Sequence, residues 1–143
     1  MSTFKDITCE GNMDYNTLTK NGEIYPKVIW EGALYMNEPQ SITIDMDSYP
    51  SGIELQWSRY DADVGAASNF GWHSFFYSKE IANRNGGIVT FLVSQTGTAL
   101  GLKYIYISKV LISGHANNDT TVSGTVFGNI NNKNWALRRV IAF

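Results

Sequence analysis

The chain has 143 residues, one domain's length and enough to bury a core without disulfide help. Hydrophobic residues at 43% and charged residues at 17% mark globular material rather than a disordered or coiled-coil chain. With 11 basic residues against 13 acidic ones and a formal net charge of -2, there is no basic stripe to neutralise phosphates, so nucleic acid is excluded as a partner.

At the N-terminus, MSTFKDITCEGNMDY has neither a basic n-region nor an apolar h-region, so no signal peptide is expected. A chain of this kind that ends up outside a cell is expected to leave by a route other than ordinary secretion. Cys9 is the only cysteine, which rules out an intrachain disulfide and any CxxC redox or zinc motif, and fits synthesis in a reducing cytoplasm. Residues 1–27 are polar and irregular, with a turn at Asn21-Gly22 and a stop at Pro26. They read as an N-terminal arm or adaptor, and residues 28–143 as a head domain.

From there the pattern has a period of two. In VIWEGALYM, Val28, Trp30, Leu34 and Met36 share a face; in GIELQWSRY, Ile53, Leu55 and Trp57 oppose Glu54, Gln56 and Ser58, the alternation of a half-buried strand. The one helical candidate is SKEIANRNGG, where Ser78 is placed to cap about two turns and Gly86-Gly87 to end them. IVTFLVS, residues 88–94, is apolar on both faces and reads as a central strand.

LKYIYISKVLIS places Ile105, Ile107 and Leu111 on one face and Tyr104, Tyr106, Val110 and Ile112 on the other, with a kink or tight turn at Ser108-Lys109. After it, Gly114 and the Asn117-Asn118 pair supply the unusual backbone angles of a reversal. The C-terminal NWALRRVIAF sets Trp135, Leu137, Ile141 and Phe143 on one face, with Arg139 as the exception. Arg138-Arg139 is the only adjacent basic doublet, and alternation sends its two members to opposite faces.

Strands are thus expected near 28–36, 41–45, 52–60, 72–78, 88–95, 102–108, 110–114, 122–128 and 134–142. Many short strands between Gly, Asn and Asp clusters predict an all-β fold, a jelly-roll-like antiparallel β-sandwich with at most one short helix. No apolar run approaches the ~20 residues of a membrane span, so no membrane insertion is expected.

Catalytic constellations are absent. His73 and His115 are the only histidines, and neither stands in a nucleophile–base motif; Cys9 lies in the arm, away from both. Asp61 and Asp63, two residues apart in a loop, stand side by side rather than opposed across a substrate as a glycosidase pair must. Followed by Gly65 they resemble part of a calcium loop, but the EF-hand spacing and its closing Glu are missing, and a solvated turn is the better reading. Two histidines without further Cys or His make a poor metal site. The expectation is a protein without catalysis, metal or cofactor.

One segment does carry binding chemistry. SRYDADVGAASNFGWH, residues 58–73, gathers Arg59, Tyr60, Asp61, Asp63, Asn69, Phe70, Trp72 and His73 in one loop and its strand ends. A pyranose has an apolar face that stacks on an aromatic ring and a polar rim for carboxylates, amides and Arg, so this mixture suits a sugar. The candidate ligand-binding residues are Arg59, Tyr60, Asp61, Asp63, Trp72 and His73, joined by His115, Asn117 and Asp119 of the later turn. The competing reading is that the aromatics pack under the loop and the Asp and Asn residues stabilise turns.

The ordered set EGALYMNEPQSI, GIELQWSRYD, GWHSFFYSKE, KYIYISKVLISGHANND and NNKNWALRRVIAF resembles the C-terminal domain of tail-fibre and receptor-binding (baseplate) proteins of phages and prophages of Gram-positive bacteria. The likeness covers residues 30 to 143; residues 1–29 have no counterpart. It implies a β-sandwich head that forms a homotrimer at the tail tip and recognises host cell-wall polysaccharide or teichoic acid. It further implies contact with other tail or baseplate proteins through the arm. A virion protein of that kind is assembled in the host bacterial cytoplasm and released by lysis, which agrees with the absent signal peptide. Such domains usually end a longer protein, whereas only a short arm precedes this head, so a receptor-binding tip and a purely structural tail component are both open.

Overall fold

The computed structural model describes residues 18–84, 86–97, 99–125 and 128–143. Cys9 and most of the expected arm lie outside the described residues, as do two positions of the strand expected over 122–128. The described end of the arm is a hairpin, β1 (Leu18–Lys20) and β2 (Glu23–Tyr25), turning at Asn21-Gly22 as its sequence predicts. It packs onto the head. Tyr25 is buried in the core, edge-on to Tyr49, and the Lys20 ammonium donates to the Tyr49 carbonyl at 3.0 Å.

The head is all-β, two antiparallel sheets packed as a sandwich. The first sheet contains β3 (Lys27–Leu34), β5 (Gly52–Asp61), β6 (Ala66–Ala67), β7 (His73–Ser78) and β13 (Trp135–Ala142). Its order is β3-β13-β5, with β7 and β6 successively along the far edge of β5. The second contains β4 (Ser41–Thr43), β8 (Ile88–Val93), β9 (Leu100–Ile107), β10 (Leu111–Ser113), β11 (Thr121–Thr125) and β12 (Gly128–Asn131). Here β8 takes one edge of β9 along its length, while β12 and β10 share the other, at opposite ends. All pairings are antiparallel except the contact of β12 with β9.

The expected strands are present, except that the one expected over 122–128 divides between β11 and the start of β12, which pair with each other, and the core follows. Ile53, Leu55 and Trp57 are fully buried, facing Ile105, Ile107, Ile112 and Leu92 of the other sheet. Each such side chain contributes roughly 1.5–3 kcal/mol by leaving water. The kink at Ser108-Lys109 is a tight hairpin: the Ser108 amide donates to the Leu111 carbonyl at 2.8 Å, and Ile112 pairs with Ile107. The reversal flips the parity, so Ile112 rather than Leu111 joins Ile105 and Ile107 in the core.

Five expectations change. IVTFLVS is not central: among the described residues β8 pairs only with β9, so Thr90 and Leu92 are buried while Val89, Phe91 and Val93 are exposed. An apolar run on both faces cannot by itself tell a central strand from an edge strand with an apolar outer face. SKEIANRNGG forms only a 3-10 turn over Lys79–Asn83, without a side-chain cap from Ser78. The Lys79 amide is claimed by the Ser51 carbonyl, and five residues cannot offset helix nucleation. Three further 3-10 turns, Met46–Ser48, Ala116–Asp119 and Asn132–Asn134, complete the short helical content among the described residues.

The terminal strand carries a β-bulge. Between Leu137 and Arg139, β13 advances two residues while β5 advances one, from Trp57 to Gln56, leaving Arg138 as the extra residue. Trp135, Leu137, Val140 and Ala142 therefore face the core, not Ile141 and Phe143, and Arg139 ceases to be an exception. A matching irregularity in β3 leaves Val28 exposed, out of line with Trp30, Leu34 and Met36. Gly114, finally, does not adopt a left-handed φ. Glycine is needed there for closeness: a Cβ would lie 2.1 Å from the Met36 carbonyl oxygen.

Candidate functional site

The end of β5 carries Arg59, Tyr60 and Asp61, and the chain returns along it through residues 66–70. The Arg59 amide donates to the Phe70 carbonyl at 3.2 Å, and the Ser68 amide donates to the Arg59 carbonyl at 2.8 Å. Gly71 closes this return with φ +66°, its α-carbon so near the Arg59 stem that a Cβ would meet Cγ at 2.8 Å. On the neighbouring strand, Trp135 stands opposite Arg59 and supports its guanidinium from below at 4.4 Å from the ring centroid. The 3-10 turn ahead of β13 brings Asn131, Lys133 and Asn134 to the same end.

These elements enclose a cleft of about 350 Å³. Its lining joins Arg59, Tyr60, Asp61, Asp63, Ser68 and Phe70 to Asn131, Lys133 and Asn134. Phe70 is 52% exposed, a ring presented at the surface rather than packed beneath the loop. One Arg59 terminal nitrogen, Nη1, is buried without an acceptor, and burial lowers the guanidinium's proton affinity. Asp61 Oδ1 accepts from the Asp63 and Val64 amides at 3.0 and 3.2 Å, building the β5–β6 turn and leaving Oδ2 outside that turn. Lys133 pairs with Asp119 at 2.8 Å, and that bond raises the affinity of the ammonium for its proton.

The nine predicted residues therefore part into three groups. Arg59, Tyr60, Asp61 and Asp63 line the cleft, with Asp119 tied to its rim through Lys133. Trp72 and His73 lie outside it, in a shallow groove of about 170 Å³ with Gln56 and Ser74. Trp72 is 45% exposed above the Arg138 guanidinium at 5.3 Å. His73 is committed: Nε2 accepts from the Val93 amide at 3.2 Å, which assigns the ring proton to Nδ1, donating to the Gly71 carbonyl at 3.0 Å.

His115 and Asn117 belong to a third place. His115 Nδ1 accepts from the Asn117 amide at 3.1 Å, starting the 3-10 turn, and the imidazole packs edge-on against Tyr104 at 4.5 Å. Asn117 borders a groove of about 440 Å³ on the outer face of the second sheet, with Val89, Leu102, Tyr104 and Val122. The two histidines have separate partners, and among the described residues no three His, Cys, Asp or Glu side chains come together to hold a metal ion.

Arg138 was invisible as a site residue, yet it fixes the loop. Raised by the bulge, its guanidinium donates to the Gly32 carbonyl and Ser58 Oγ, both at 3.0 Å, to the Ser68 carbonyl at 3.2 Å, and at the limit to Asn69 Oδ1. Arg139 instead pairs on the surface with Glu31 at 3.0 Å. Asn131, Lys133 and Asn134 were missed as well. The Asn-rich run NINNKN was the only signal, and it lies some seventy residues from Arg59. Compared with family models, curated proteins and solved structures, the chain finds no match in any of the three.

Proposed function

We propose that this chain is a non-catalytic phage tail protein that binds host cell-surface carbohydrate, wall polysaccharide or teichoic acid, during adsorption, and that the glycan occupies the cleft at the end of β5. One observation carries this: exposed Phe70 and the Tyr60 ring stand beside carboxylates, a guanidinium and amides in one cleft of about 350 Å³. That volume lies in the range of small-molecule sites, and the mixture matches a pyranose's apolar face and polar rim. Trp72 offers a second stacking surface on the other side of the loop. Weak single sites would be multiplied by threefold symmetry and by many copies on a virion. Residues 1–27 would join the head to other tail proteins.

The test is adsorption of purified protein to Gram-positive cell walls. Phe70→Ala is expected to fold and to lose roughly tenfold in affinity, about 1.4 kcal/mol. Trp72→Ala, run in parallel, asks whether the glycan extends across the loop; unchanged adsorption by the folded variant removes Trp72 from the site. Full adsorption by folded Phe70→Ala would sink the assignment to this cleft.

A second reading, a purely structural tail component, is favoured by the outer face of the second sheet. Val89 at 59% and Val122 at 46% exposure line the larger groove and suit contacts between subunits. A trimer that never binds host cells would favour it.

A further inference from the structure

We propose that the cleft selects uncharged or amine-bearing sugars and discriminates against phosphodiester chains; this rests on the glycan reading above and narrows it to one ligand class. A polyanionic chain needs a surplus of cations with free N–H donors. Here the lining supplies two cations, Arg59 and Lys133, against Asp61 and Asp63. Lys133 is held by a third carboxylate, Asp119, at 2.8 Å. Two cations less three carboxylates leaves −1 around the cleft.

The distribution of charge points the same way. Asp63 is exposed, forms no ion pair among the described residues, and adds to the field that keeps Lys133 protonated. Asp61 holds its turn through Oδ1 alone, so Oδ2 is left to accept from a hydroxyl or an ammonium. Arg59 cannot swing out to meet a flexible phosphate chain: its stem abuts Gly71, its head lies on Trp135, and its backbone is bonded on both sides to residues 68–70. A phosphodiester entering the cleft would bring further negative charge past Asp61 and Asp63.

The experiment is a glycan array of three classes, neutral hexose and N-acetylhexosamine polymers, amino-sugar polymers, and poly(glycerol phosphate) with poly(ribitol phosphate). It is probed with the whole chain at low and high salt. Binding confined to the first two classes, at least tenfold above the phosphate polymers, is the expected result. Asp63→Asn, and the double variant with Asp61→Asn, are expected to shift the ratio toward the phosphate polymers by severalfold, since they remove one and two negative charges. Equal or preferential binding to the phosphate polymers overturns the discrimination while leaving the glycan reading standing. Binding to none of the classes overturns the glycan reading itself.

Discussion

Segments 59–73 and 115–119 look alike in sequence, each setting His, Asn and Asp side chains beside a strand end, yet the fold uses them in opposite ways. In the later segment the central amide is consumed. Asn118 is fully buried: Oδ1 accepts from the Tyr104 amide at 2.7 Å, and Nδ2 donates to the Tyr104 carbonyl at 2.8 Å and the Met36 carbonyl at 2.6 Å. In the earlier segment the strand backbone is already paired by residues 66–70, so Asp61 Oδ2, Asp63 and Phe70 remain on the surface. The difference lies in the neighbours. Where a strand edge is left unpaired, nearby amides serve the backbone; where it is paired, polar side chains are left at the surface.

The strongest way to break this comparison is Asn118→Ala. It strands an amide and two carbonyls in the core and is expected to lower unfolding stability by about 3–5 kcal/mol. A urea titration reads it directly, and a loss under 1 kcal/mol would show that the turn is not structural after all.

Next comes Lys103, fully buried on the same stretch of β9, its ammonium donating to the Tyr35 carbonyl at 2.8 Å and to the Asn132 carbonyl. Desolvation lowers its pKa to about 7, against a smaller opposing pull from Asp119. The unfolded chain, titrating near 10.5, then binds more protons between those values, so stability rises with pH through that window. About 2 kcal/mol is expected between pH 7 and 9. Denaturation at both pH values, with Lys103→Met as the variant that lacks the slope, checks the sign; a fall over this window in the native sequence contradicts it. A neutral amine still has two N–H groups for its two carbonyls, so the geometry survives deprotonation.

The smallest of the three effects belongs to the earlier segment. Arg138→Ala removes the guanidinium that ties Ser68, Asn69 and Trp72 to Gly32 and Ser58. A loss of about 1–2 kcal/mol is expected, with faster hydrogen exchange at the Arg59 and Ser68 amides. Unaltered exchange would mean the loop stands without its clamp.

Legibility followed locality. β5 was readable because each of its facing residues obeys a period of two and its burial matches. β13 was readable as a strand but not in register, since one extra residue at Arg138 reverses every later face and no local pattern announces a bulge. The larger part of the cleft, Arg59 to Phe70, stood in one loop; the remainder arrives through the pairing of β13 with β5, a contact that sequence proximity cannot supply. Composition likewise gave no way to separate Asn118, which serves the backbone, from Asn117, which faces outward.

The gap on β9 between β12 and β10 has one more consequence. Asn132 Oδ1 takes the Leu102 amide at 2.7 Å, as Asn118 takes that of Tyr104, so two side chains stand where a strand would lie. An open edge there would be a template on which another chain could extend the sheet. Stoppered by asparagines, it offers nothing to copy, and the chain is spared one route to fibrous self-association.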